Sequence, residues 1–510
     1  MRVKSPFRTI AGLLAAAPFA GATAADWMQF GYDATHSGHN LVETTLSASN
    51  VDQIQRRYQS TLTASVDSAP VYLSNVSTTS GTKDLLFLLS TNGTLMAVNA
   101  ADGSVLWHHQ ENGTQPTTSS PAIDPGRQYL YAYGLDGYVH KYRVDNGNEV
   151  TSGGWPELIT LKTNVEKVAG GLTIATSGSV TYLYVVTDGY AGDAGSYQGH
   201  LTTINLANGT QKVFNSLCSD QTIHFDNGAS NCDRPLTSDF GGSGIWGRGG
   251  ATFDAGTNQV YIATGNGWFD ANIPGNYHWG DSVLAIAPNG VGNGPMPADS
   301  YTPDNYLQLF NGDTDLGSTS LVVLPMPAAH ATQHVGVQVG KDAVLRLLDL
   351  TDMSGTNLAG SVGGELQLIN VPQGGGGMSE QPATWVDGSG NTWLLVANRA
   401  GVSGLKLRFT NQNVPFLESE WSHGGNAKSA IVANGVLYYA AVCGSSFCMN
   451  AADPVTGDVL WTSTEHLAAL HWQSPIIVNG AIYIADGTHL HRFDAGNAAD
   501  DTIFANGFDP

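Results

Sequence analysis

The run KDLLFLLSTNGTLMAVNAADGSVLW, residues 83–107, carries the unit from which the fold is read. Leu85 to Leu89 are continuously apolar, as in a strand covered on both faces, and Asn92-Gly93 offers the positive φ that a two-residue hairpin turn requires. A second apolar strand, LMAV, follows and runs into Asp102-Gly103, another hairpin turn, before SVLW leads outward to Trp107. SAPVY, at 68–72, stands ahead of this run as an entry strand. One unit therefore reads as four short antiparallel strands joined by tight turns.

The same grammar returns in TSSPAI (118–123) with QYLYAYGLDGYVHKYRVDNGNEV (128–150), and later in HVGVQVGKDAVLRLLDL, TWLLVANRAGVSGLKLRF and SAIVANGVLYYAAV. Its closing turn recurs at Gly103, Gly147, Gly209, Gly290, Gly355 and Gly457, with an unmarked copy near Asn411 and a mean period of about 59 residues. Insertions at 217–243, 266–279 and 292–315 make the spacing uneven. Eight units are counted, and the last, HWQSPIIVNGAIYIADGTHLHRFDA (471–495), lacks an outer strand. Radial repetition of such sheets resolves the edge-strand problem. The expectation is an all-β, eight-bladed β-propeller of four-stranded antiparallel blades, its ring closed by the N-terminal strand, with Trp27 to Phe30 pairing into the last blade.

Composition agrees with many tight turns: 62 of 510 residues are Gly and 13% are charged. Residues 1–25 read as a secretory leader, with Arg2, Lys4 and Arg8, an apolar core and an Ala22-Thr23-Ala24 cleavage site. The propeller is expected over 26–496, an acidic tail over 497–510, and a periplasmic or secreted location. Net charge is −22 with the leader and −25 without its three basic residues, which disfavours nucleic acid and anionic membranes as partners. No later run of about 18 apolar residues suggests membrane insertion. The four cysteines lack the spacing of a zinc site or of haem attachment. In an exported chain they are expected as two local disulfides, Cys218–Cys232 and Cys443–Cys448.

Function is sought at Gly244 to Asp315, which opens GIWGRGGATFDAGTNQVYIATGNGWFD and continues through HWGDSVLAIAPNG into NGDTDLGS. Trp246, Asn266, Asp313 and Asp315 fall at the edges of predicted strands, where a rigid scaffold displays functional groups, although turn residues and a packing Trp give the same pattern. His330 and His334 are read as loop histidines, and PQGGGG (372–377) as a blade connection without the Lys of a phosphate loop.

AADPVTGDVLW, ending at Trp461, and NAADGSVLW, ending at Trp107, resemble the tryptophan-docking repeat of pyrroloquinoline quinone (PQQ) propellers. GIWGRGGATFD, YIATGN, GDSVLAI and DTDLGS, in that order, resemble the quinoprotein alcohol dehydrogenases, the polyvinyl alcohol dehydrogenase branch most of all. The resemblance implies that Trp246 carries the quinone, that Asn266 ligates calcium, that Asp315 is the base with Asp313 as the near alternative, and that Lys341 lies by the quinone oxygens. It places Ala194 where the family has a calcium-ligating glutamate, with Asp193 beside it as a substitute. TTSSPAI replaces the family's adjacent cysteine pair, and the arginine after that pair is missing. The implied activity is oxidation of a small alcohol or hydroxylated polymer, with a separate electron acceptor. The alternative is a non-catalytic propeller that binds a protein or glycan.

Overall fold

The computed structural model describes residues 25–496 apart from 191, 193, 194, 227–240, 329, 376, 378 and 379. Eight sheets of four principal strands surround a central channel, and the chain is an eight-bladed propeller. Seven blades form in chain order over 71–110, 122–158, 173–215, 252–301, 322–370, 383–424 and 427–462, their neighbouring strands antiparallel. The eighth uses Ile476–Val478, Ala481–Ala485 and Gly487–Asp494 and takes its outer strand from the other end of the chain.

That outer strand is Gln55–Val66, antiparallel to Gly487–Asp494, so an N-terminal strand does close the ring. The segment expected to do so does not. Trp27 instead exchanges backbone hydrogen bonds with Tyr72 of the first blade, N to O at 2.9 Å and O to N at 2.7 Å. Length and patterning account for the difference. Gln55–Val66 has 12 residues of alternating exposure, which suits the outer edge of a sheet with one solvated face. Trp27 is buried to 1% and packs edge-on against Tyr32 at 5.1 Å, a core plug rather than an outer strand.

The tryptophan repeats act between blades. Trp107 covers the closing turn of the second blade, where a Cβ at Gly147, at φ +74°, would lie 2.7 Å from the indole. Trp421 donates Nε1–H to Pro454 O at 3.1 Å, and Trp461 donates to Ile54 O at 3.0 Å across the closure. Trp421 and Trp461 satisfy their single donor on the next blade while burying their apolar bodies, and Trp107, whose N–H has no partner, docks by packing alone; these contacts hold neighbouring sheets in register. Cys443–Cys448 is formed across one hairpin, with Cα atoms 5.8 Å apart. The other expected pairing falls on Cys232, outside the described residues, as do residues 1–24 and the tail. No helix among the described residues is long and apolar enough to cross a membrane.

Candidate functional site

Between the outer strand of one blade and the inner strand of the next, the chain crosses the channel mouth. Trp246 lies on the crossing that precedes Thr252–Asp254 of blade 4, and Trp472 on the one that precedes Ile476–Val478 of blade 8. Blades 4 and 8 stand opposite each other in a ring of eight. Nevertheless the two indoles meet, with centroids 5.7 Å apart and planes inclined by 23°. They therefore cap the channel from opposite sides.

Four residues singled out in the sequence converge on this cap. Lys341 Nζ lies 5.3 Å from the centre of the Trp246 ring, within cation–π range. It is ion-paired with Asp315 Oδ2, and it reaches Asp313 Oδ1 at 3.0 Å. Asp315 Oδ1 accepts the backbone N–H of Asn266 at 2.6 Å. Gly265 permits the approach, since a Cβ there would stand 2.6 Å from Asp315 Oδ1 and 3.2 Å from Trp246 Nε1. Asp315 is 3% exposed, whereas the Asp313 side chain is 66% exposed and touches the cluster only through Lys341. Asp193 lies outside the described residues.

Burial raises the Asp315 carboxyl above the ordinary carboxylate range, against the pull of Lys341 and of the Asn266 N–H. For Lys341, burial works downward but is outweighed by Asp315 and Asp313, so the ammonium is held above its usual value. A third acid, Asp281, was not singled out in the sequence although it sits in GDSVLAI. It is 1% exposed and accepts Leu316 N–H at 3.0 Å on one oxygen, while the other is sealed in without a hydrogen-bond partner. Burial first, and then the Asp315 charge, push it well above the carboxylate range, which favours its neutral form.

Two further residues were passed over. Trp472 reads in HWQSPI as an ordinary strand entry, and Arg248 as a turn residue in IWGRGG. The one available signal for Arg248 was a cation in a glycine-rich strand entry of an acidic chain. Arg248 is 4% exposed, and its guanidinium carbon lies 5.6 Å from the ring centres of both Phe30 and Trp472. Its nearest acid, Glu380, stands 3.7 Å away and is itself bonded to Lys428 Nζ at 2.9 Å. Arg248 Nη1 is buried with no hydrogen-bond partner.

The cluster fits a planar, negatively charged aromatic group: an indole face, an ammonium over it, and a buried guanidinium with a donor to spare. A ring inserted between two others needs about 3.5 Å on each side, so the 5.7 Å indole pair admits one only when Trp472 moves away. Trp472 is half-buried, with exposed His471 beside it. Calcium fits less well. It takes six to eight oxygens, and the described residues offer Asn266, Asp315 with both oxygens engaged, and Asp188, which packs against Gly244.

Residues 43–229 match the family model described as outer membrane protein assembly factor BamB. A europium-containing methanol dehydrogenase superposes with a TM-score of 0.63 at 12% identity, covering 92% of this chain and 98% of that one. The quinohemoprotein alcohol dehydrogenase from Comamonas testosteroni gives 0.60 at 13%, covering 94% and 82%. Sqt1 from Saccharomyces cerevisiae gives 0.50 at 10%, covering 87% and 99%. No curated protein sequence matches the chain. At these identities the likeness is one of fold: the chain is an eight-bladed propeller similar in architecture to the quinoprotein dehydrogenases.

Proposed function

We propose that this propeller is an exported quinoprotein oxidoreductase that oxidises an alcohol or a hydroxylated polymer at the mouth capped by Trp246. The observation that supports it most is the convergence of Trp246, Asn266, Asp315 and Lys341, drawn from 96 residues of sequence, around one indole face. Bound there, PQQ supplies the carbonyl that accepts the two electrons and hydrogen of a carbinol. Lys341 and Trp246 would hold the cofactor, the ammonium supplying positive charge and the indole a stacking surface. Asp315, with its raised affinity for a proton, takes the substrate hydroxyl proton, and burial of Asp281 disfavours a second negative charge beside it. Asp313 is too exposed for that role and serves to hold Lys341 in place. The electrons leave to a separate acceptor, a protein or a soluble carrier. No step is assigned to calcium, whose donor set would rest on Asn266 and Asp193.

A second reading is a non-catalytic propeller whose face binds a protein or glycan. It draws on the match of 43–229 to an assembly-factor family and on the covering of Trp246 by Trp472. The two separate in one experiment: the purified protein is given PQQ, with and without calcium, and assayed for quinone absorbance and for alcohol-dependent dye reduction. The proposal expects both signals, with Asp315→Asn losing dye reduction by about 100-fold or more while retaining the quinone. Trp246→Ala is expected to weaken quinone uptake by about tenfold. Wild-type protein that takes up no quinone under either condition would overturn the quinoprotein reading and leave the second in its place.

A further inference from the structure

A guanidinium has five N–H donors, and one enclosed in a protein ordinarily spends them on carboxylates or carbonyls. Arg248 does not. Of the acids near it, Glu380 is committed to Lys428 and to Ser429, whose hydroxyl and N–H reach Oε2 at 3.3 Å. Asp67 is committed to Trp472 N–H at 2.8 Å and to His471 Nδ1 at 2.7 Å. Leaving a buried cation so poorly paired is unfavourable, and stability alone gives no reason to retain it. Beside Arg248 a small cavity, with room for about one water-sized group, is lined by Phe30, Gln381, Ser429 and Ser474. The guanidinium lies against Trp472, and Trp472 lies against Trp246.

Resting on the reading of this mouth as a quinone site, we infer that Arg248 receives a carboxylate of the planar ligand and that Trp472 keeps the ligand's place until it binds. Trp472 already satisfies two requirements of such a ligand, a flat face for Trp246 and a π surface for Arg248. It lacks the anion that would take up the spare donor at Nη1. A tricarboxylate quinone supplies both, and its arrival turns Trp472 outward and gives Arg248 the hydrogen-bonded partner it lacks. The inference makes the site selective for anionic planar compounds, despite the acidic surface of the protein.

The test is a tryptophan-fluorescence titration of wild-type, Arg248→Met, Arg248→Lys and Trp472→Ala proteins with PQQ and with its trimethyl ester, which has the same rings and no carboxylate. Wild type is expected to bind the acid about 10- to 100-fold more tightly than the ester, the worth of a charge-assisted hydrogen bond. Arg248→Met should lose that preference, and Trp472→Ala should bind the acid more tightly than wild type. Arg248→Lys keeps the charge without the planar fork; if the Met variant fails to fold, a Lys variant that loses about tenfold for the acid and nothing for the ester sustains the inference. Equal binding of acid and ester by wild type, a preference that survives in the Arg248 variants, or unchanged or weaker affinity in Trp472→Ala would overturn it while the quinone reading stands. Wild type that binds neither compound overturns the quinone reading and this inference with it.

Discussion

Asp281 shows how a neighbourhood sets the charge state of one residue. Its folded carboxyl is raised above the unfolded value, chiefly by burial and then by Asp315, so its contribution to stability is complete below the ordinary carboxylate range. That contribution is lost as pH rises through the folded value, where a sealed oxygen must carry charge. Asn mimics the neutral acid and tolerates the backbone at φ +46°. Asp281→Asn should therefore match wild type in melting temperature near pH 4 and exceed it increasingly toward pH 9; parallel curves would show that Asp281 does not titrate as described. The convergence that could be read from sequence here, that of Trp246, Asn266, Asp315 and Lys341, depended on short motifs lying at strand ends. Arg248 and Trp472 were illegible for the opposite reason. Their meaning lies in contacts with blades far away in sequence, and a propeller mouth is assembled entirely from such contacts.

At the scale of the element, turns and docking tryptophans were the most legible features because their chemistry is local: a glycine at positive φ, an indole one strand later. The second blade adds a device that pattern reading does not reveal. His140, in Tyr138–Arg143, lies between Glu149 at 2.6 Å on Nδ1 and Asp136 at 3.2 Å on Nε2, with Glu111 of the first blade close by. Burial works against its charge, but the flanking acids prevail and raise the imidazole to about 9. A raised folded value means that the stabilisation is whole below the unfolded value of 6.5 and disappears as pH climbs through about 9. The shift corresponds to about 2–4 kcal/mol. Urea denaturation from pH 6 to 10 should show wild type losing stability across that window, whereas His140→Gln should be less stable at pH 6 and nearly flat thereafter. A His140→Gln profile with the wild-type slope would assign the loss to other groups.

The whole molecule is a ring whose blades touch mainly their neighbours, so its weakest junction is the one that no continuous hairpin spans. That junction is the pairing of Gln55–Val66 with Gly487–Asp494, and its location was only half legible: an incomplete last unit announces that an N-terminal strand is needed, but both candidate segments carry strand-like residues. Exposure decided between them, since an outer strand needs a solvated face and Trp27 has none. Leu62, 4% exposed, fixes the closing strand to a core that it shares with Ile484, Leu490 and Val98. Leu347, 1% exposed, is a comparably buried leucine inside blade 5, where chain continuity holds the sheet. Replacing either by Asp buries a charge without a partner and should destabilise by more than about 4 kcal/mol. The consequences should differ in place: Leu62→Asp is expected to release amide protection first in 55–66 and 476–494, opening the ring at its seam, while Leu347→Asp leaves that seam protected and loosens 322–370. Hydrogen exchange read by mass spectrometry distinguishes them, and identical exchange profiles for the two variants would mean that the propeller opens as one cooperative unit with no privileged seam.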